Sequence, residues 1–108
     1  MGTTLAGSVK ITLRESWDDY PLIPVRRPVR SFFPPYQERF TLRIGETDIQ
    51  TYVTGRKTDT EIVEGDPEAG THLRTRMGDI AQSHPEISSG DEIIIKQLTT
   101  REYEIIDW

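Results

Sequence analysis

The chain contains no cysteine, which excludes a disulfide framework, a thiolate zinc site and a cysteine nucleophile. Its 2 histidines, His72 and His84, are too few for a multi-histidine metal centre. No apolar run approaches the ~20 residues that cross a bilayer as a helix. The stretch from Met1 to Lys10 lacks the basic-then-apolar order of a secretory signal. These absences imply a cytoplasmic protein without a membrane partner. Alanine (3) and leucine (6) are also scarce, whereas isoleucine, valine and threonine together number 30. β-branched side chains suit a pleated surface and lose rotamer freedom in a helix, so the composition predicts a mainly β chain with one or two short helices. At 108 residues there is room for one domain and a single core.

The net charge of −5 hides an uneven distribution. Residues 1–57 hold nine Lys and Arg against six Asp and Glu; residues 58–108 hold four against twelve. A basic first half and an acidic second half describe a polar chain, and distribution matters more than the sum when a charged partner is considered.

Residues 1–7 read as a loose leader and 8–108 as one domain. Ser8 to Leu13 alternates, with Val9, Ile11 and Leu13 on one face, which predicts a first strand. A second short strand is expected at Leu22-Ile23-Pro24. In Val25 to Phe33, Pro28 suits a first helical turn. Val29, Phe32 and Phe33 then fall on one helical face, and Pro34-Pro35 stops the helix. Arg39–Ile44 and Thr47–Thr54 form a hairpin about Gly45-Glu46. A long polar segment at 55–70 follows, of a length that is usually functional or mobile. A short strand at Thr71–Thr75 leads to a second helix capped by Thr75, with Met77, Ile80 and Ala81 buried and Pro85 beyond its end. Asp91–Leu98, with three consecutive isoleucines, predicts a strand buried on both faces, and Glu102–Ile106 returns beside it.

Catalytic patterns are missing. No glycine-rich loop with a lysine enters a helix, and no strained serine elbow is present. Asp18-Asp19 and Asp91-Glu92 are paired carboxylates of the kind that hold magnesium, yet Asp91 after Gly90 suits a turn. Lys96 is separated from the nearest acids by three isoleucines, unlike the arrangement of a metal-dependent nuclease. His84 before Pro85 suits a helix end, and His72 alone beside the long segment is a weak signal. Binding chemistry remains. Arg14, Trp17 and Tyr20 follow the first strand, and Arg56, Lys57, Thr58, Asp59, Thr60 and Glu61 follow the hairpin. Arginine and lysine for guanine, carboxylates for the cytosine amine and threonine for the thymine methyl are the side chains that read a major groove. The same residues are ordinary in solvated loops. A protein-interaction module with exposed Trp17, Tyr20, Tyr36 and Trp108 therefore stays open, as does, in last place, a metal-assisted hydrolase using Asp18 and Asp19.

Leu22 to Pro34 (LIPVRRPVRSFFP) resembles the strand–helix unit of the plant B-three transcription-factor domain, and His84 to Leu98 (HPEISSGDEIIIKQL) resembles its later helix–Gly-Asp–strand unit. The hairpin RFTLRIGETDIQTYV fits its central strands. The resemblance covers residues 8–107. It implies a seven-stranded open pseudobarrel with two short α-helices, a fold that bacterial relatives use as target-recognition or effector domains of restriction endonucleases. Two loops then clasp the major groove of double-stranded DNA. Here they are 14–20, with Arg14, Ser16, Trp17, Asp18, Asp19 and Tyr20, and 55–61, with Arg56, Lys57, Thr58, Asp59 and Thr60. Lys10, Arg74 and Arg76 grip phosphate nearby. The acidic residues in both loops depart from the family, as does Met77 where an aromatic usually opens the later helix. The implied protein is a monomeric, sequence-specific DNA-binding domain without catalysis, metal or cofactor, working with a separate nuclease domain or subunit.

Overall fold

The structure, a computed structural model, describes residues 7–55 and 69–108. The expected leader therefore lies almost wholly outside the described residues. The chain is mainly β. Strand β1 (Ser8–Thr12) is followed by helix α1 (Ser16–Asp19), β2 (Ile23–Pro24), β3 (Phe40–Ile44), β4 (Thr47–Thr51) and β5 (Val53–Thr54). Then come β6 (His72–Leu73), helix α2 (Met77–Ser83), β7 (Glu92–Thr99) and β8 (Glu102–Asp107). A five-stranded mixed sheet has the order β1-β7-β8-β3-β4, and a three-stranded antiparallel sheet has the order β2-β6-β5. Among the described residues only the β3–β8 pair is parallel, with Leu42 opposite Tyr103.

Alternation dictates the strands. Phe40, Leu42 and Ile44 on β3, Ile49 on β4 and Tyr103 and Ile105 on β8 are buried, as their period of two predicts. The β3–β4 hairpin turns at Gly45 and Glu46, with Gly45 at φ +58, the positive first position that a Gly-X turn requires. On β7, Ile93 and Ile95 are buried while Ile94 is only half-buried and Glu92 and Lys96 are exposed. The isoleucine run is therefore a strand fully buried on one face only, with Ile94 partly covered on the other, rather than one buried on both faces.

Other expectations are corrected. The segment Val25–Phe33 does not form a helix beginning at Pro28: the Arg27–Pro28 peptide bond is cis and only a 3-10 turn at Arg30–Phe32 is helical. Phe33 before Pro34 is extended, as the residue preceding proline prefers. Phe32 and Phe33 instead join Phe40 and Tyr103 in an aromatic cluster, with centroids 5.0–6.1 Å apart. The second short helix of the chain is α1, inside the segment expected to be a loop, and Trp17 anchors it in the core. The predicted strand Thr47–Thr54 breaks at Tyr52, so β4 ends the five-stranded sheet and β5 belongs to the three-stranded one. Eight strands result among the described residues, and there no pairing joins β1 to β2. On α2 the cap is Arg76, in the left-handed region at φ +64, rather than Thr75.

Candidate nucleic-acid interface

β1 and β2 each lie at the edge of a sheet and do not pair, which leaves an open side between them. An open groove of about 350 Å³ occupies it. Lys10, Thr12 and Arg14 line it from the β1 side, and Pro24, Arg26, Arg27 and Pro28 from the β2 side. Ile11 and Val29 supply apolar floor. Arg27 and Pro28 also line a neighbouring hollow of about 420 Å³, together with Arg30 and Ser31. The groove thus carries four cationic side chains. Lys10 reaches a single carboxylate, Glu92, at 4.0 Å with both side chains exposed, a spacing worth little. Among the described residues Arg14 and Arg26 make no ion pair.

The arginines divide by position. Arg43, Arg76 and Arg101 are paired with Asp48, Asp79 and Glu38 at 2.6–3.0 Å, and Arg43 and Arg101 lie on or beside the five-stranded sheet. Arg14, Arg26, Arg39 and Arg74 lack carboxylate partners among the described residues; Arg14, Arg26 and Arg74 follow β1, β2 and β6, and Arg39 precedes β3 with its guanidinium over the Tyr52 ring. Arg30 is different again. It is 2% exposed, donates from Nε to the Ala69 carbonyl at 2.6 Å and from Nη1 to the Pro34 carbonyl at 3.1 Å, and so fastens the chain after the 55–68 segment to the 3-10 turn.

The residues expected in the first loop separate into several roles. Arg14 enters the groove. Trp17 is 3% exposed, so its indole belongs to the core and is closed to a duplex or a protein partner. Tyr36 is buried as well, which removes half of the aromatic surface expected of an interaction module. Asp18 accepts hydrogen bonds from the Ser89 backbone N–H at 3.2 Å and from its hydroxyl at 2.8 Å, so both carboxylate oxygens are engaged in holding α1 to the turn before β7. Ser16 is half-buried and Asp19 is exposed on α1. Tyr20, 50% exposed, lies with its ring 4.5 Å from the Arg74 guanidinium. Arg74 is therefore placed on the outer face of the three-stranded sheet, not in the groove. Arg76 is held by Asp79 at 2.6 Å.

Arg56, Lys57, Thr58, Asp59 and Thr60 lie outside the described residues. The roots of their segment are fixed, with the Thr71 N–H donating to the Thr54 carbonyl at 2.8 Å and Gly70 at φ +95. Strands β2 and β5 run parallel on either side of β6. The first loop enters this sheet at Ile23 and the second leaves it at Thr54, so their roots join opposite ends of the two-residue strands, one residue step of about 3.3 Å apart along the strands and two strand spacings apart across them. The groove passes along this flank.

Reasoning from sequence missed Arg26, Arg27, Arg39 and Tyr52, and gave His72 only as a weak signal. The pair Arg26-Arg27 was a visible basic signal, but the apolar spacing of Val25–Phe33 drew it into a helix. His72 is half-buried and donates to or accepts from the Thr71 hydroxyl at 2.9 Å through Nδ1. Burial first, then the neighbouring Arg74 and Arg26 charges, hold its pKa below the usual histidine value. Among the described residues no three His, Asp or Glu side chains gather to hold a metal ion, and no helix is long and apolar enough to cross a membrane. Compared with known proteins, the chain matches no protein family, no curated protein and no solved structure.

Proposed function

We propose that this chain is a sequence-specific double-stranded DNA-binding domain whose two sheets form a B-three-like open pseudobarrel. The strand order supports the fold reading. It runs β1-β7-β8-β3-β4, continues through Tyr52 into β5, and ends β6-β2, a single path with one gap. The observation that carries the function is the groove at that gap. Lys10, Arg14, Arg26 and Arg27 line it in a chain of net negative charge. The groove takes one phosphodiester backbone. Arg14 lies where the chain leaves β1 toward α1, positioned to reach from the backbone toward base edges, and the loop after β5 reads from the other end of β2-β6-β5. Phosphate contacts fix register and base contacts select sequence. The role the resemblance implies is target recognition for a restriction endonuclease whose nuclease resides in another domain or subunit.

The test is selection of bound duplexes from a random pool, followed by affinity measurement across salt. Recovery of one short motif supports the reading. Four phosphate contacts give a slope of log K against log salt of about −3 to −4. Failure to enrich any motif, or an affinity indifferent to salt, overturns it.

A further inference from the structure

The outer face of the three-stranded sheet carries a second, separate surface. Ile23, Val53 and Leu73 are fully buried and stand in one cross-strand row. Alternation therefore turns the next row, Pro24, His72 and Thr54, to the outside. A further step of two residues along each strand brings Arg74 and Tyr52 to one end of this face and Arg26 to the other. The span between those ends is about 13 Å at the usual rise per residue. Two aromatic–guanidinium contacts lie at the first end: Arg74 sits 4.5 Å from the Tyr20 ring centroid and Arg39 sits 5.8 Å from that of Tyr52. Arg26, Arg39 and Arg74 are exposed, and none has a carboxylate partner among the described residues.

We propose that this face binds single-stranded nucleic acid, with phosphates on Arg26, Arg39 and Arg74 and bases stacked against Tyr20 and Tyr52. Cations alone would suit any polyanion. The rings decide between ligands, because a duplex keeps its base faces inside the stack whereas a single strand offers them to an aromatic platform. Among the described residues Tyr20, half exposed beside Arg74, makes no hydrogen bond through its phenol and contributes little to the core. A stacked base covers that ring and strengthens the attraction of the neighbouring guanidinium for phosphate. Each stacked base contributes on the order of ten-fold in affinity. The surface does not depend on the duplex groove, with which it shares Pro24 and Arg26.

The experiment measures binding of a labelled twelve-nucleotide oligothymidylate, the matching duplex and inorganic polyphosphate to the full chain and three variants. In Tyr20→Ser with Tyr52→Ser, oligothymidylate affinity falls at least ten-fold while polyphosphate and duplex affinities hold. Tyr20→Phe with Tyr52→Phe keeps the rings and restores oligothymidylate binding, which separates loss of stacking from loss of folding. Lys10→Ala with Arg14→Ala weakens the duplex and spares the single strand. The proposal is overturned if oligothymidylate does not bind the full chain, or if it binds no better than polyphosphate and is indifferent to the tyrosines. It is equally overturned if the groove variant loses both nucleic acids together, which would make one surface of two. Absence of duplex binding alone sinks the duplex reading and leaves this one standing.

Discussion

Asp18 and Ser89, 71 residues apart in sequence, are joined by two hydrogen bonds, from the Ser89 N–H at 3.2 Å and from its hydroxyl at 2.8 Å. The contact closes α1 against the turn that launches β7, so Asp18 positions the segment that follows Arg14. Both bonds are charge-assisted but near solvent, which limits their net worth. Asp18→Ala should lower stability by about 1 kcal/mol, seen as a lower urea midpoint at unchanged slope. Base preference should stay as it was. A variant of unchanged stability whose preference shifts at one position would return Asp18 to the recognition surface.

Arg14 and Lys10 differ in what holds them. Lys10 shares Glu92 at 4.0 Å, whereas Arg14 makes no ion pair among the described residues. Removing either from a phosphate-lined groove should flatten the salt dependence of duplex binding by about 0.9 for each phosphate that is no longer neutralised. Arg14→Ala is also expected to relax sequence preference, since a bidentate guanidinium–base contact is worth ~1–3 kcal/mol of discrimination. Lys10→Ala should weaken all duplexes alike. Equal, sequence-blind losses in both variants would confine Arg14 to the backbone.

Much of the five-stranded sheet was legible in the sequence, because one-sided burial writes itself as alternation in β1, β3, β4 and β8, whereas in β7 the run of three isoleucines marked the strand but hid which face is buried. Helix α2 was legible too, with Met77 and Ile80 on its buried face as expected; helix α1 was not. Trp17 is the single apolar residue in RESWDDY, too little to establish a period, yet it fixes α1 by reaching the core. Conversely, Val29, Phe32 and Phe33 carry a helical period that the prolines on both sides prevent the backbone from using. The groove was half legible: Lys10 and Arg14 stood out beside a clear strand, whereas Arg26 and Arg27 were absorbed by the misplaced helix. Most of the outer face of β2-β6-β5 could not be read. Arg39 and Tyr52 are neighbours across the predicted hairpin, but Tyr20, Arg26 and Arg74 come to this face from segments far apart in sequence, and no local pattern encodes that arrangement.

His72 lies on that outer face between Pro24 and Thr54, with Arg26 and Arg74 as the charged groups facing it and the Thr71 hydroxyl on Nδ1. Its pKa is lowered by burial first and by Arg74 and Arg26 next. The folded protein therefore resists a proton that the unfolded chain accepts near pH 6.5. Stability from this group is complete above that pH and declines as pH falls below it toward the depressed folded value. A polyanion on the neighbouring arginines reverses the preference, so binding should take up protons and strengthen as pH falls from about 7 to about 5. In His72→Gln both trends should flatten. Oligothymidylate affinity followed across that range checks it, and an identical pH profile in the variant would remove His72 from the surface.

Tyr103 offers the clearest separation of a polar from an apolar contribution in the core. Its ring packs against Phe32, Phe33 and Phe40, while its hydroxyl donates to the Phe32 carbonyl at 2.8 Å and accepts from Gln97 Nε2 at 3.3 Å. Burial pushes the phenol up to about 12, only partly opposed by the Arg30 charge. The contribution of the neutral phenol is full below pH 10, the unfolded value, and is lost as pH rises toward about 12. Tyr103→Phe keeps the ring and leaves the Phe32 carbonyl without its donor, so it should cost about 1 kcal/mol at neutral pH. The same variant should lose less stability than the parent between pH 10 and 12, because it has no buried phenol to ionise there. Denaturation midpoints of the two proteins should converge as the solution is made alkaline. A constant gap across that interval would mean that the Tyr103 hydroxyl ionises as readily when folded as when unfolded, and the burial argument for it would fail.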